Sequence, residues 1–313
     1  MGRGELNRNI THSTGPLAAL GRLPPNLQGA LWVVGAAVVF AFNAGVVKQL
    51  GILGVDSLQT VFARSVVGFC VILPFVWRKG LSSVRTDHLP LHLYQAMAGT
   101  VALMAHFYAW TKLPLADVTA LLFTQPLFAL LLAVIILGSK VNWRRWLATA
   151  IGFLGVLAMV RPGAVSFDPV TLVALFAGFS IALQLILVAR LPEGEKELTM
   201  LFYLGIVGTL VTVGPALTVW RMPSLEVGVL LLVNGLLGIT HQAMIFRAFR
   251  VGEATYVAPF DYSKIVVAAL LGFLYFAEIP DAWSILGAAV IVASTYYISR
   301  REVGGKGRGA PGG

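Results

Sequence analysis

The sequence contains little charge for its length. Of its 313 residues, 12% are charged and 58% are hydrophobic, and the mean hydropathy is +0.83. A soluble domain of this size needs more charged side chains to cover its surface, so the composition excludes an ordinary soluble protein. The apolar residues are grouped in long blocks, such as residues 127–138 and 147–160. Because blocks of about 20 mostly apolar residues cross a bilayer as helices, the sequence predicts a polytopic protein of the lipid bilayer.

Cysteine is nearly absent as well. The single cysteine, Cys70, excludes a disulfide within the chain, and its apolar neighbours predict an inert buried thiol. The first 27 residues hold no apolar segment of the kind found in cleavable signal peptides, so we expect the first membrane helix to direct insertion.

Signatures of catalysis and of nucleotide binding are also missing. The chain has no P-loop, no His-Glu-x-x-His motif, no Gly-x-Ser-x-Gly element and no Asp-rich magnesium motif. The net charge of +9 does not indicate nucleic acid, because the basic residues lie between the apolar blocks and no binding signature accompanies them. We therefore expect no enzyme activity, no nucleic-acid partner, no cofactor and no metal.

The apolar blocks predict an all-α membrane protein with ten transmembrane helices. The predicted spans lie at about 29–48, 57–77, 92–111, 117–138, 144–161, 169–190, 199–219, 227–247, 254–277 and 282–299. Lysine and arginine alternate between the two sets of connections. Only Lys48, Lys112, Arg161 and Arg221 fall on one side, and the other side holds most of the rest together with both tails. By the positive-inside rule, both termini are predicted to be cytoplasmic and the protein to lie in the cytoplasmic (inner) membrane.

The chain contains an internal repeat. Residues 116–121 resemble residues 252–257, and each stretch runs into an apolar helix that contains a proline, Pro126 or Pro259. The first repeat covers residues 28–163 and the second 168–302, with five predicted helices each. Since five is odd, the second copy must enter the membrane from the opposite side, which gives an inverted-topology repeat. We expect residues 1–27 to form a cytoplasmic tail and 303–313 to form a disordered tail.

A small set of polar residues lies at membrane depth, where a charge costs about 2.5–3.5 kcal/mol on insertion scales. These residues are Asn43, Arg64, His106, Gln125, Gln184, His241, Gln242, Asp261 and Lys264. Asp261 and Lys264 are three positions apart and share one helix face, where they either neutralise each other or contact a substrate or a proton. The repeat alignment places Gln125 opposite Asp261. Pro126 and Pro259 lie at equivalent depth and either free backbone carbonyls for a central site or simply kink their helices.

Other residues leave alternatives open. The two histidines at membrane depth lack a third ligand at recognisable spacing, so satisfied or proton-sensitive histidines are favoured over a metal site. Arg64 suits either a structural role or an anion contact. The seven tryptophans lie mostly at span ends, which is typical of interfacial belts rather than a ligand cage. The small-residue pairs Ala148/Gly152 and Ala289/Ala293 permit close helix contact within the protomer or between the protomers of a homodimer.

Several motifs resemble those of EamA-type members of the drug/metabolite transporter superfamily. They are Phe62-Ala63-Arg64-Ser65, Leu113-Pro114-Leu115-Ala116-Asp117-Val118-Thr119-Ala120-Leu121, Trp143-Arg144-Arg145-Trp146, Gly152-Phe153-Leu154-Gly155-Val156, the stretch from Gly272 to Asp281, and Tyr297-Ile298-Ser299-Arg300-Arg301-Glu302. In this family an acidic residue follows a glycine at the end of the fourth helix. Gly138-Ser139-Lys140 departs from that pattern, whereas Glu278 keeps it in the ninth helix, and Leu204 stands near the position that Arg64 occupies in the first repeat.

The resemblance implies a central cavity lined by the first, third, fourth, sixth, eighth and ninth helices. It places Asn43, His106, Gln125, Gln184, His241, Gln242, Asp261 and Lys264 around the cavity and Arg64 nearer the periphery. With one acid, one base, two histidines and several amides, this set favours a zwitterionic or anionic metabolite. The leading hypothesis is a secondary transporter that works by alternating access, with Asp261 as the candidate proton site. The alternatives are a lipid or drug flippase and, with less support, an intramembrane enzyme.

Overall fold

A computed structural model describes residues 23–138, 143–160, 168–192, 195–251 and 258–306. These residues form α-helices and two short 3-10 helices, and no strand occurs among them. The α-helices are α1 Pro25–Ile52, α2 Ser57–Lys79, α3 Leu89–Lys112, α4 Leu115–Leu122, α5 Gln125–Leu137, α6 Trp143–Val160, α7 Val170–Ala189, α8 Glu197–Thr218, α9 Leu225–Val251, α10 Ser263–Phe276 and α11 Ala282–Lys306. The 3-10 helices are Leu81–Val84 and Ala258–Tyr262.

Six stretches of the described chain are long and apolar enough to cross a membrane. They are Pro25–Ile52, Ser57–Lys79, Leu115–Leu137, Val170–Ala189, Leu198–Thr218 and Leu225–Ile245. Two shorter apolar helices, Trp146–Ala158 and Ala282–Ser294, coincide with the fifth and tenth predicted spans. The all-helical class is therefore confirmed, and the count of ten spans stays a prediction.

The fourth predicted span is broken in the middle. Helix α4 ends at Leu122, a turn follows at Phe123 and Thr124, and α5 begins at Gln125 with Pro126 in its first turn. Proline is tolerated there because the first N–H groups of a helix have no partner within it. In the second half, the 3-10 helix Ala258–Tyr262 passes into α10 beside Asp261. An α-helix therefore starts next to each of the two polar residues that the repeat alignment pairs, at Gln125 and at Ser263.

The helices pack in pairs, and exchanging the two repeats reproduces the same set of pairs. Helix α1 packs against α9 and α3 against α7, so exchanging the two halves turns one pair into the other. Helix α2 packs against α8 and α6 against α11, and the exchange maps each of these pairs onto itself. The two halves therefore surround a common centre as approximate two-fold partners.

Small residues bring α6 and α11 close together. A Cβ atom at Gly155 would lie 2.9 Å from the carbonyl oxygen of Gly287, and one at Gly152 would lie 2.6 Å from Ser294 Oγ. Ala148 is buried. On α6, the predicted small-residue contact is therefore made within the chain.

Some expectations are corrected at the edges of the bundle. Cys70 is exposed on α2, so the prediction of a buried thiol is wrong. An apolar run does not separate a core face from a lipid face, because both are apolar. Helix α11 reaches Lys306, so residues 303–306, predicted as disordered, are helical. Helix α1 begins at Pro25, so the last residues of the predicted N-terminal tail are helical. The described residues do not include 1–22, 307–313, the repeat string 252–257 or Ser139-Lys140.

Candidate substrate-binding site

A cavity of about 220 Å³ lies at the centre of the bundle, between α1, α2, α3, α4, α5, α7, α9 and the junction of the second 3-10 helix with α10. All nine polar residues that the sequence places at membrane depth line it: Asn43, Arg64, His106, Gln125, Gln184, His241, Gln242, Asp261 and Lys264. We call this space the central cavity. The structure brings together residues from both halves that are up to 221 positions apart in the chain (Asn43 to Lys264).

Arg64 belongs to the central cavity, so the expectation that it lies nearer the periphery is wrong. Its guanidinium is stacked against the backbone of α9, where Gly238 has no side chain to exclude it. A Cβ atom at Gly238 would lie 2.6 Å from Arg64 Cζ. The guanidinium makes a long 3.5 Å hydrogen bond to Asn43 Oδ1 and lies 5.4 Å from the ring centroid of Phe107. Among the described residues, no carboxylate forms an ion pair with it.

Asp261 and Lys264 form an ion pair at the junction of the 3-10 helix and α10. The distance from Lys264 Nζ to Asp261 Oδ1 is 2.5 Å, although the contact lacks hydrogen-bond geometry. Lys264 Nζ also lies 5.1 Å from the ring centroid of Phe40. The two side chains therefore neutralise each other and still face the central cavity, which leaves both predicted roles compatible with the geometry.

Two amide pairs cross the bundle in related positions. Asn43 Nδ2 donates to the carbonyl oxygen of Asn234 (2.8 Å), and Gln184 Nε2 donates to Gln95 Oε1 (3.5 Å). The first pair joins α1 to α9 and the second joins α7 to α3, so the exchange of halves converts one into the other. Sequence reasoning missed Gln95 and Asn234, although both are buried amides with apolar neighbours in the chain. An amide inside an apolar helix was the available signal, since its burial requires a partner.

Aromatic rings form one wall of the central cavity. Trp110 is 1% exposed, which makes the assignment of this tryptophan to an interfacial belt wrong. Its ring meets Phe40 at 5.2 Å and His106 at 4.6 Å between centroids, and Phe40 meets His241 at 5.3 Å. Trp110 Nε1 and His241 Nε2 are buried without a hydrogen-bond partner in the described part of the chain. Buried polar atoms are normally satisfied, so these two nitrogens are available to a ligand or to water.

The formal charges around the central cavity sum to +1 with neutral histidines. Arg64 and Lys264 are positive and Asp261 is negative, and the other lining residues carry no formal charge. A cavity with a net positive charge favours a guest that carries an acidic group over one that carries only positive charge.

At one end of the bundle, a network of polar contacts joins the two halves. Lys48 on α1 forms an ion pair with Glu278, which follows α10, and also donates to the carbonyl oxygen of Leu113 (2.9 Å). Glu278 Oε2 accepts from the backbone N–H of Leu115 (2.8 Å), the first residue of α4. Glu278 therefore caps a helix of the first half while pairing with a lysine of that half.

A second network joins the halves at the opposite end. The hydroxyl of Thr86 donates to Glu195 Oε1 (2.6 Å), and His92 Nε2 lies 3.3 Å from Glu195 Oε2. The Thr86 bond lowers the pKa of Glu195, partial burial opposes the shift, and His92 adds to the lowering. Both ends are thus fastened by contacts between one half and the other.

The histidines do not build a metal centre in the described residues, where no group of three or more His, Cys, Asp or Glu side chains could hold an ion. His106 and His241 instead pack among the aromatic rings of the central cavity.

Comparison with known proteins identifies the family. The model of the EamA-like transporter family matches residues 27–161 and matches again over residues 169–300. The chain belongs to the EamA-like transporter family. The double match shows that the duplication seen in the sequence consists of two EamA units, and it confirms the family resemblance. As an EamA protein, the chain is a multi-pass inner-membrane transporter of a small molecule and not an enzyme.

Relatives within the family are named for different transported molecules. The S-adenosylmethionine uptake transporter of Rickettsia prowazekii (strain Madrid E) is 31% identical over 276 residues, which covers 88% of this chain and 94% of the relative. The riboflavin transporter of Vibrio cholerae is 32% identical over 280 residues, with the same coverage of 88% and 94%. A pseudopaline exporter of Pseudomonas aeruginosa is 28% identical over 279 residues, covering 88% of this chain and 98% of the relative.

A solved structure supports the fold. A chain titled "Crystal structure of protein" superposes with a TM-score of 0.54 at 17% sequence identity, covering 89% of this chain and 98% of that chain. At this identity the likeness concerns the fold alone. The EamA protein described here is therefore a metabolite transporter whose cargo must be argued from its own cavity.

Proposed function

We propose that this protein is a secondary transporter that moves a small zwitterionic or anionic metabolite across the cytoplasmic membrane by alternating access around the central cavity. The proposal includes ten transmembrane helices in two inverted repeats, with both termini in the cytoplasm. The approximate two-fold packing of the halves supports this arrangement, since symmetric rocking about a shared site is what inverted repeats permit.

The environment of Arg64 is the observation that supports a zwitterionic or anionic substrate. A guanidinium at membrane depth without a carboxylate partner is costly, so it persists where it is useful. Its planar fork matches a carboxylate or phosphate in a bidentate manner. The long contact to Asn43 Oδ1 leaves most of its donors without a hydrogen bond to the described residues, and the net charge of the central cavity favours an acid at this position.

Asp261 and Lys264 extend the match to a zwitterion. An incoming ammonium group can share Asp261 with Lys264, while a carboxylate binds Arg64. S-adenosylmethionine, the cargo named for the Rickettsia relatives, has an α-amino-carboxylate head, and its sulfonium suits the aromatic wall at Phe40 and Trp110. This argues for an amino-acid-like head group and gives the first probe to test.

Proton coupling is assigned to Asp261 in this proposal. The carboxylate is 30% exposed, lines the central cavity and lies in the 3-10 helix before α10, where a protonation change alters its pairing with Lys264. Removing its charge by Asp261→Asn should uncouple uptake from an imposed proton gradient. Uptake that still responds to the gradient in this variant would remove Asp261 from the coupling mechanism.

The charges in the central cavity argue against the flippase alternative. Three ionised side chains line a space of about 220 Å³, which is unsuited to lipid tails. Lipid scrambling by the purified protein in vesicles, without uptake of polar metabolites, would reverse this conclusion.

The decisive experiment uses proteoliposomes containing purified protein. Wild type and Arg64→Gln are compared for uptake of labelled S-adenosylmethionine, L-methionine and riboflavin. We expect Arg64→Gln to lower uptake of the acid-bearing probes at least about tenfold, the equivalent of roughly 1.4 kcal/mol. Arg78→Gln is the matched control, because Arg78 is an exposed arginine at the end of the same helix. Equal loss in both variants, or no loss in Arg64→Gln, contradicts the proposal.

A further inference from the structure

A second space adjoins the central cavity and is larger and more apolar. It measures about 460 Å³ and lies between α2, α8 and α9, with one contribution from α3. Its wall includes Gly68, Val71, Ile72, Phe75 and Leu201. We call this space the side chamber.

The central cavity and the side chamber share part of their lining. Arg64, Leu103, Gly238 and Gln242 border both spaces. Arg64 and Gln242 are the polar members of this shared wall, so a molecule lying across the junction has its polar group beside the guanidinium and its remaining atoms among apolar side chains.

The size of the central cavity calls for such an extension. Pockets for small metabolites and drugs typically measure about 300–1,000 Å³, and the central cavity, at about 220 Å³, falls below this range. The side chamber, at about 460 Å³, offers the additional room on the other side of the shared wall.

The asymmetry between the halves points to the same role. Leu204 stands near the position in the second half that Arg64 occupies in the first, and Leu204 lines the side chamber. Gly68, one turn from Arg64 on α2, has no atom within 4 Å of an added Cβ. The first half therefore supplies the charge at the shared wall through Arg64, whereas Leu204 of the second half is apolar. Next to Arg64, Gly68 leaves free space in the side chamber.

We propose that the side chamber receives the apolar or aromatic body of the transported metabolite while its acidic head binds Arg64. The inference rests on the proposed function and narrows it to amphipathic acids and amino-acid derivatives with a bulky body. The shared wall favours the metabolite as occupant, because a molecule whose acid binds Arg64 in the central cavity can place its body on the other side of that wall without leaving Arg64. The exposed Arg247 at the chamber wall is where a lipid headgroup would bind instead, and the test includes it.

The test uses probes with one head and bodies of increasing size. L-alanine, L-methionine, L-tryptophan and S-adenosylmethionine share the α-amino-carboxylate group, and their affinities are measured on full-length protein in lipid nanodiscs. Gly68→Phe fills the side chamber at a position with free space. We expect Gly68→Phe to lower the affinity for tryptophan or S-adenosylmethionine at least tenfold and the affinity for alanine less than twofold. We expect Arg64→Gln to lower the affinity for every probe that binds wild type.

Two control variants distinguish an effect on the side chamber from a general loss of folding. Gly214→Phe adds the same ring on α8 at another glycine whose added Cβ meets nothing within 4 Å, and Gly214 does not line the chamber. Gly68→Ala adds only a methyl group. Both controls should keep the affinities of wild type within about twofold.

The outcomes separate the two proposals. If Arg64→Gln loses binding and Gly68→Phe keeps it for all probes, the side chamber is not part of the site and the proposed function stands. If wild type binds none of the probes, or Arg64→Gln binds them unchanged, both proposals fail. If Gly68→Phe or Arg247→Gln releases phospholipid that co-purifies with wild type while probe affinities stay the same, the chamber is a lipid site and the inference is overturned.

Discussion

The guanidinium of Arg64 rests on the backbone of α9 at Gly238. An added Cβ at that glycine would approach Arg64 Cζ to 2.6 Å, a distance that real Cβ contacts do not show. The place of the charge in the central cavity therefore depends on a missing side chain on the neighbouring helix. Since the clash concerns the flexible end of an arginine, relief comes from moving the guanidinium.

The first prediction is that Gly238→Ala displaces Arg64 and weakens substrate binding. We expect a loss of about tenfold in affinity, roughly 1.4 kcal/mol, because the donors leave the position in which they meet an acid. Thermal stability should change little, since alanine is the better helix former. Gly228→Ala, on the same helix with open space around its Cβ, is the control. Unchanged affinity in Gly238→Ala would show that the position of Arg64 does not matter for binding.

The second prediction concerns Glu278. Glu278→Gln removes the charge that pairs with Lys48 and weakens the cap on Leu115, so Lys48 is left poorly compensated in a partly buried place. Breaking a buried pair from one side costs about 3–5 kcal/mol, and we expect the lower end here. Unfolding in detergent should show a clearly lower midpoint than Glu226→Gln, which removes an exposed acid from the first turn of α9. If both variants unfold at the wild-type temperature, the pair does not stabilise the folded protein.

The third prediction is a pH effect at Glu195. Its pKa is lowered in the folded protein from the ordinary value of 4.5, so the ionised form is stabilised by folding. This contribution is present above the unfolded pKa and disappears as the pH falls through the folded pKa. The stability gap between wild type and Glu195→Gln should therefore hold near neutral pH and shrink below about pH 4.5. Thr86→Val should raise the pKa of Glu195, because the Thr86 hydroxyl is the largest cause of the shift. A gap that widens in acid would contradict this assignment.

The fourth prediction tests the orientation. Cys70 is the only cysteine, so Cys70→Ser gives a background for single reporters. Lys112→Cys, at the end of α3, should react with an impermeant maleimide on intact cells. Arg78→Cys, near the end of α2, should react only after the cells are permeabilised. The reverse pattern would invert the proposed topology, and labelling of both sites from outside would contradict the span assignment.

The residues of the central cavity could be predicted because lipid makes polar groups expensive. All nine polar residues selected by depth line the same space, although the sequence shows no contact between the helices. A polar group at membrane depth must face protein or water, and a bundle of this size offers few such places.

The direction in which individual side chains point could not be predicted, because it depends on contacts between helices. The position of Arg64 depends on Gly238, which lies 174 positions further along the chain, and a glycine in an apolar helix serves equally well for close packing against a neighbouring helix. Trp110 lies near a span end and still points inward, where it is buried. Cys70 lies in an apolar run and faces outward. Hydropathy reports depth along a helix and says nothing of which face meets a neighbour.

The ion pair between Lys48 and Glu278 has a consequence for the ancestry of the chain. The corresponding basic residue of the second half, Arg190, donates to the carbonyl oxygen of Ile136 at the end of α5 (2.5 Å) and has no other hydrogen bond to the described residues. The sequence after Gly138 has a serine where Glu278 follows Ala277. A hypothetical protein fused from two second halves would have a basic residue and an acid to form this ion pair at both ends of the bundle. One fused from two first halves would have no acid for it at either end. Because the family resemblance also places an acid at the end of the fourth helix, the asymmetry of this ion pair is expected to reflect an acid that the first half lost after the gene doubled.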